Sequence, residues 1–336
     1  MRTFLLTAAA AAVVAAAFTT GAFAQDISSR MIRFGYGLSE NSNQGRAVNF
    51  FADQVAKLSD GKLKVHGFGD ARLGNDIQMQ NALIGGAQEM MVGSTATLVG
   101  VIKDFGVYDL PFIFSSDKVA DAVLDGPFGR KLMDQLKAKG LVALVYWENG
   151  FRDLTNNKRP IEKLSDFDGI KLRVMQNPVY IDMFDAFGAN AVPMAYSELF
   201  TAMQTGAVDG QENPVTTIDS AKFYEVQKYL TISHHVYSPW IVLASKAWWD
   251  KLTPDEQKVL QEAAVASRDF ERKDSRAATA KSLEFLKSKG MQVNTLSSDV
   301  LAQLREKVKP AEDKFAADGG ATVLADLKAA VAAAEK

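Results

Sequence analysis

The chain has 336 residues, 38 Lys and Arg against 40 Asp and Glu, a formal charge of −2, no Cys and three His. A chain this close to neutral carries no basic footprint for nucleic acid. Without cysteine it holds no disulfide, no thiolate nucleophile and no thiolate metal ligand.

At the amino terminus Arg2 precedes an alanine-rich apolar run, Leu5 to Phe18, and Ala22-Phe23-Ala24 follows. A positive start, an apolar core of about 15 residues and small residues two apart form the pattern of a cleaved secretion signal, whereas a spanning helix needs roughly 20. Residues 1–24 are therefore expected to be removed, and no Cys follows to take a lipid. The remaining chain, about 310 residues, exceeds the size at which one core keeps growing, so two lobes are expected.

Ile32–Tyr36 alternates as a strand, and Gln44–Leu58 sets Ala47, Phe50, Phe51, Val55 and Leu58 near one helical stripe. Leu63–Phe68 reads as a second strand, Asp76–Ile84 as a helix and Glu89–Gly93 as a third strand. This β-α-β-α-β order implies parallel strands with right-handed crossovers, and such sheets bind ligands beyond their strand carboxyl ends. Those loops are Leu38–Ser42, Gly69–Gly74 and Gly93–Thr97.

The pattern then resets, with strands predicted at Leu141–Trp147 and Ile170–Val174. Asn177-Pro178 opens a helix that buries Tyr180, Met183, Phe184 and Phe187 and stops at Gly188. Ser197 is expected to cap another helix, which buries Phe200 and Met203 and ends at Gly206. Trp240–Ser245 reads as a buried strand, and Thr253-Pro254-Asp255-Glu256 as a capping box. No Pro or Gly interrupts the chain from there to about Lys287, which predicts one long helix; the tail from Val323 is a weakly specified helix. The expected fold is α/β, with two lobes joined by a hinge and several interlobe crossings. Lobe one is drawn from residues 25–149 and 238–278, and lobe two from 150–237 and 279–336.

Enzyme signatures are missing. His66 sits in a strand, while His234 and His235 are adjacent and so face apart in regular structure. There is no metal-binding His spacing, no G-x-S-x-G elbow and no phosphate loop, and Gly35-Tyr36-Gly37-Leu38-Ser39-Glu40 lacks the third glycine of a dinucleotide site. No metal and no cofactor are expected. What stands out is polarity inside apolar segments: Glu148-Asn149-Gly150-Phe151-Arg152, Lys171-Leu172-Arg173-Val174 and Val208-Asp209-Gly210-Gln211-Glu212-Asn213-Pro214. A guanidinium in a half-buried strand is costly unless an anion meets it. That anion is either an internal carboxylate or a bound one.

The same segments, with LGNDIQMQNALIGGAQEM (73–90), VYDLPFIF (107–114), NGFRDLTNNKRPI (149–161), DFDGIKLRV (166–174), FGANAVPMAYSELFTAMQTGAVDGQENP (187–214) and FYEVQKYLTISHH (223–235), resemble the extracytoplasmic solute receptors of tripartite ATP-independent periplasmic transporters, the DctP type. The resemblance implies a two-lobed periplasmic binding protein, a monomer, that closes about its hinge on a small organic acid and delivers it to membrane permease subunits. It implies a two-pronged salt bridge from Arg173 to the ligand carboxylate, assisted by Arg152. Asn213 would donate its amide, unless it only caps the turn before Pro214, and Tyr196 would cover the carbon skeleton, unless it is plain core. From lobe one, Glu40, Asn41 and Ser42 could reach the distal end, and Ser94 and Thr95 offer hydroxyls without charge, which argues against sialic acid. Trp240, with Trp147 and Tyr237, forms an aromatic wall or ordinary core. The resemblance implies a C4-dicarboxylate as ligand, while these walls would suit an aromatic or hydroxy monocarboxylate. A secreted hydrolase acting through Asp and Glu, or the binding component of a sensory system, are the rival readings.

Overall fold

The computed structural model describes residues 26–336, and the expected secretion signal lies outside the described residues. The first lobe begins with β1 (Arg30–Gly35), α1 (Asn43–Leu58), β2 (Leu63–Phe68), α2 (Asp76–Ile84) and β3 (Met90–Ser94). β1 pairs in parallel with both β2 and β3, as the β-α-β-α-β order requires. After α3 (Asp117–Asp125) and α4 (Pro127–Gln135), β4 (Leu141–Phe151) leads out of this lobe.

The second lobe contains β5 (Asp153–Asn156), β6 (Lys171–Val174), α5 (Pro178–Phe187), β7 (Asn190–Pro193), α6 (Tyr196–Gln204), β8 (Gly210–Asn213), α7 (Val215–Ser220) and β9 (Tyr229–Ile232). β10 (Tyr237–Ser245) then recrosses and inserts antiparallel between β3 and β4. α8 (Lys246–Trp249), α9 (Pro254–Ser288), β11 (Gln292–Thr295), α10 (Ser298–Phe315) and α11 (Ala321–Ala334) complete the chain. The sheet orders are β2-β1-β3-β10-β4 and β11-β9-β5-β8-β6-β7.

Two crossings run side by side. β4 continues past its expected end at Trp147, because Gly150 and Phe151 find partners in Ser238 and Tyr237 of β10. The pairing register shifts between Ser238 and Pro239, opposite Gly150, whose φ of 114° is open to glycine but not to a side chain without strain. The third crossing is α9. Its capping box forms as expected: Thr253 accepts from the Glu256 N–H while the Glu256 carboxylate accepts from the Thr253 N–H. Further along, Arg268, Arg272 and Arg276 recur one turn apart and face Asp125, Asp121 and Asp117, which recur one turn apart on α3. This ionic ladder fixes α9 to the first lobe before it reaches α7.

Two expectations are corrected. Ser197 does not cap α6; the cap position is Ala195, and Ser197 lies inside the first turn because the chain turns into helix as soon as β7 ends. The carboxyl-terminal segment does not all belong to the second lobe. α10 buries Val300, Leu304 and Val308 against Phe167 and Phe184. After the turn at Gly319, Leu324 and Leu327 of α11 join the first-lobe core with Leu124 and Leu132.

Candidate ligand site between the lobes

The carboxyl ends of β1 and β3 face those of β6 and β8 across a cleft of about 650 Å³ of empty space, its open mouth included. Gly37, Asp76, Ser94 and Thr97 line it from the first lobe, Arg173, Tyr196 and Asn213 from the second, and Asn149 and Trp240 from the crossing strands.

Arg173 is 2 % exposed on β6. Its Nε and Nη2 donate to the Met194 carbonyl at 3.0 and 2.7 Å, which orients the guanidinium without neutralising it. Burial lowers its pKa to about 10, so it remains charged at neutral pH, favoured by the carboxylates of Glu212 and Asp76.

Asp76 opens α2 directly after Asn75, whose side chain caps the helix in a reciprocal bond with Gln78. Asp76 Oδ2 accepts from the Ser94 N–H at 2.9 Å. That approach needs Gly93, where a Cβ would stand 2.9 Å from the same carboxylate oxygen. Burial pushes the Asp76 carboxyl up to about 6, against the Ser94 bond and the field of Arg173. It is therefore largely ionised at pH 7. The sequence reading passed over this residue because an acid in the first turn of a helix is ordinary dipole chemistry. Its position in the LGND stretch was the only signal. Asp76 also brings charge to the Ser94 turn, where the sequence offered only hydroxyls.

Asn213 lies on β8 and does not cap the following helix, whose cap position is Pro214. Its amide donates to Gln211 Oε1 at 2.5 Å, Gln211 to Thr155 and Thr155 to Gln227, so a chain of buried polar groups fixes it. Asn149, part of the polar Glu148–Arg152 segment but given no ligand role from the sequence, accepts from the Thr217 hydroxyl at 3.3 Å. Tyr196 lines the cleft and leans on Phe223, with ring centres 6.2 Å apart. Of the three aromatic candidates only Trp240 reaches the cleft. Trp147 packs against Phe34, and Tyr237 packs against Phe114 and Phe151.

Three expected ligand contacts lie elsewhere. Arg152 does not line the cleft. It is fully buried against Glu212, donating Nε to Oε2 and Nη2 to Oε1, the latter at 2.7 Å, and His235 Nε2 lies 3.2 Å from the same carboxylate. An arginine neutralised in this way has little charge left for a ligand. Glu40 and Asn41 point into solvent, because Ser42 caps α1 and turns them outward; the Asn41 carbonyl accepts from Arg46.

Among the described residues no group of His, Cys, Asp and Glu could hold a metal ion, and no helix is long and apolar enough to cross a membrane.

Residues 34–318 match the family model for bacterial extracellular solute-binding proteins, family 7, DctP. Among solved structures, the sugar acid binding protein DctPAm of Advenella mimigardefordensis, in complex with galactonate, is 51 % identical with a TM-score of 0.91, over 92 % of this chain and all of that one. A solute-binding protein of Polaromonas bound to D-erythronate is 38 % identical with a TM-score of 0.85, over 89 % of this chain and 98 % of that one. The 2,3-diketo-L-gulonate-binding periplasmic protein YiaO of Escherichia coli is 36 % identical over 83 % of this chain and 84 % of its own length.

Proposed function

Because the chain belongs to family 7 of the bacterial extracellular solute-binding proteins, the DctP family, we propose that it is the periplasmic receptor of a tripartite ATP-independent transporter and that its ligand is a polyhydroxylated monocarboxylate. One observation carries the ligand class: among the described residues, Arg173 is the only cation lining the cleft, and Asp76 is the only anion.

A carboxylate fits the free edge of the Arg173 fork, a match that lysine cannot reproduce. Opposite it, Asp76 accepts hydrogen bonds from hydroxyls, and Asn149 and Asn213 can donate to them or accept from them. A second ligand carboxylate placed near Asp76 would meet a like charge. At 4 Å that repulsion is about 4 kcal/mol for an effective dielectric of 20, or roughly a thousandfold in affinity. Galactonate and erythronate, named for the two similar structures, each join one carboxylate to a chain of hydroxyls. A hydrolase working through two carboxylates would find only one in this cleft among the described residues. Hinge closure then brings Asp76 and Arg173 onto opposite ends of one ligand, excludes water, and changes the surface offered to the permease.

Asp76→Asn tests the reading by calorimetry with D-galactonate. Loss of a charged acceptor weakens binding by roughly 10- to 100-fold. In the parent, affinity falls as pH drops through about 6 and Asp76 takes up its proton; the variant loses that dependence. Equal affinity and equal pH profiles in the two proteins would show that Asp76 does not read the hydroxyls.

A further inference from the structure

Beside the acid site lies a second interlobe cavity, larger than the first, with about 1570 Å³ of empty space including its mouth. It runs between α2 and the Thr95–Lys103 segment of the first lobe and the start of α5 and end of α10 of the second. Ile77, Val99, Val101, Val179 and Phe315 make much of its wall apolar.

Among the described residues only two line both cavities, Thr97 from the first lobe and Gln176 from the second. Thr97 is pinned, its hydroxyl donating to the Ser94 carbonyl at 2.8 Å and accepting from Gln80 Nε2 at 2.7 Å. The backbone beside Gln176 is equally fixed. Its neighbour Asn177 caps α5 through the Val179 N–H and reaches across the lobes to the Ala96 carbonyl at 3.2 Å and Asp109 at 2.7 Å. The Gln176 side chain itself is exposed. It therefore stands as a removable panel in a rigid frame, where the acid site meets the second cavity.

We propose that Thr97 and Gln176 form a partition that sets the length of the acid this receptor accepts, and that the cavity behind it is a latent subsite for an apolar extension of the ligand. The inference rests on the proposed seating of the ligand carboxylate on Arg173, with the chain running toward Asp76. In the parent, an acid longer than the site abuts the partition. With Gln176 cut back to Ala, and Thr97 to Ser so that its hydrogen bonds survive, the two spaces join and the extension enters the second cavity along its apolar wall, away from the Lys103, Asp104, Asp182 and Asp318 that also line it.

The test compares D-galactonate with its terminal butyl ether by calorimetry on the parent, Gln176→Ala and the Thr97→Ser/Gln176→Ala double variant. The parent is expected to prefer D-galactonate by about tenfold or more, and the variants to erase or invert that preference as the butyl group is buried. Heptanoate against undecanoate forms a second arm, which needs Arg173 and the partition but no hydroxyl recognition. A parent that ignores D-galactonate refutes the proposed ligand class, and the alkanoate ratio then decides the partition separately. Length discrimination unchanged in the double variant, or absent from the parent, overturns the inference.

Discussion

Arg173→Ala is expected to abolish acid binding while leaving a protein that still melts cooperatively. The guanidinium is buried, charged and held by the Met194 carbonyl, a neutral acceptor that cannot balance it. Glu212 and Asp76 favour its charge through space, but no carboxylate bonds it directly until a ligand arrives, so removing it strands a desolvated anion in the cleft. Breaking one side of such a pair costs about 3–5 kcal/mol, which lowers affinity by roughly two to four orders of magnitude. The free protein loses no salt bridge of its own, and its melting temperature should move by only a few degrees. Arg173→Lys should recover little, because a point charge does not reproduce the fork. Calorimetry with D-galactonate and a thermal melt of each variant check both halves. Near-parental affinity in the Ala variant would remove Arg173 from the site.

Arg152 gives the opposite pattern. Its guanidinium and the Glu212 carboxylate are both 0 % exposed and bonded to each other. Glu212→Ala therefore leaves a buried, uncompensated arginine, at a cost of about 3–5 kcal/mol and a fall in melting temperature of roughly 6–20 °C. Arg152→Ala has a loss of similar kind, and the double variant should be less damaged than the sum of the two, since neither charge is then stranded. The pH dependence follows from Glu212. Burial alone would raise its pKa, but the charge of Arg152 and the bonds from Arg152 and His235 hold it below the usual 4.5. Its stabilising contribution is thus complete above about pH 4.5 and is lost as the pH falls through the lower folded-state value. Parental melting temperatures in both single variants would contradict this assignment.

The contrast between these two arginines marks how far the sequence could be read. Both were recognisable as costly groups in apolar strands, but the partner of Arg152 comes 60 residues later, on a strand whose register no local pattern specifies. Elements governed by local rules were legible: the capping box at Thr253 and Glu256, the Asn177-Pro178 start and Gly188 stop of α5, and the parallel β1, β2 and β3. Elements governed by distant partners were not. β4 runs longer than its apolar pattern because β10 pairs with it, and α11 returns to the first lobe because α3 offers it an apolar face. Asp76 was hidden for a related reason. Only the third dimension brings the start of α2 against the Ser94 turn and within the field of Arg173.

The central claim, one cation and one anion facing each other across the cleft to hold a hydroxylated monocarboxylate, is tested most directly by titrating the parent protein with D-galactonate and with succinate at pH 7.5. D-galactonate is expected to bind with a Kd in the micromolar range or tighter, and succinate at least about 100-fold more weakly, because its second carboxylate meets Asp76. Succinate binding as tightly as D-galactonate, or more tightly, would contradict the account.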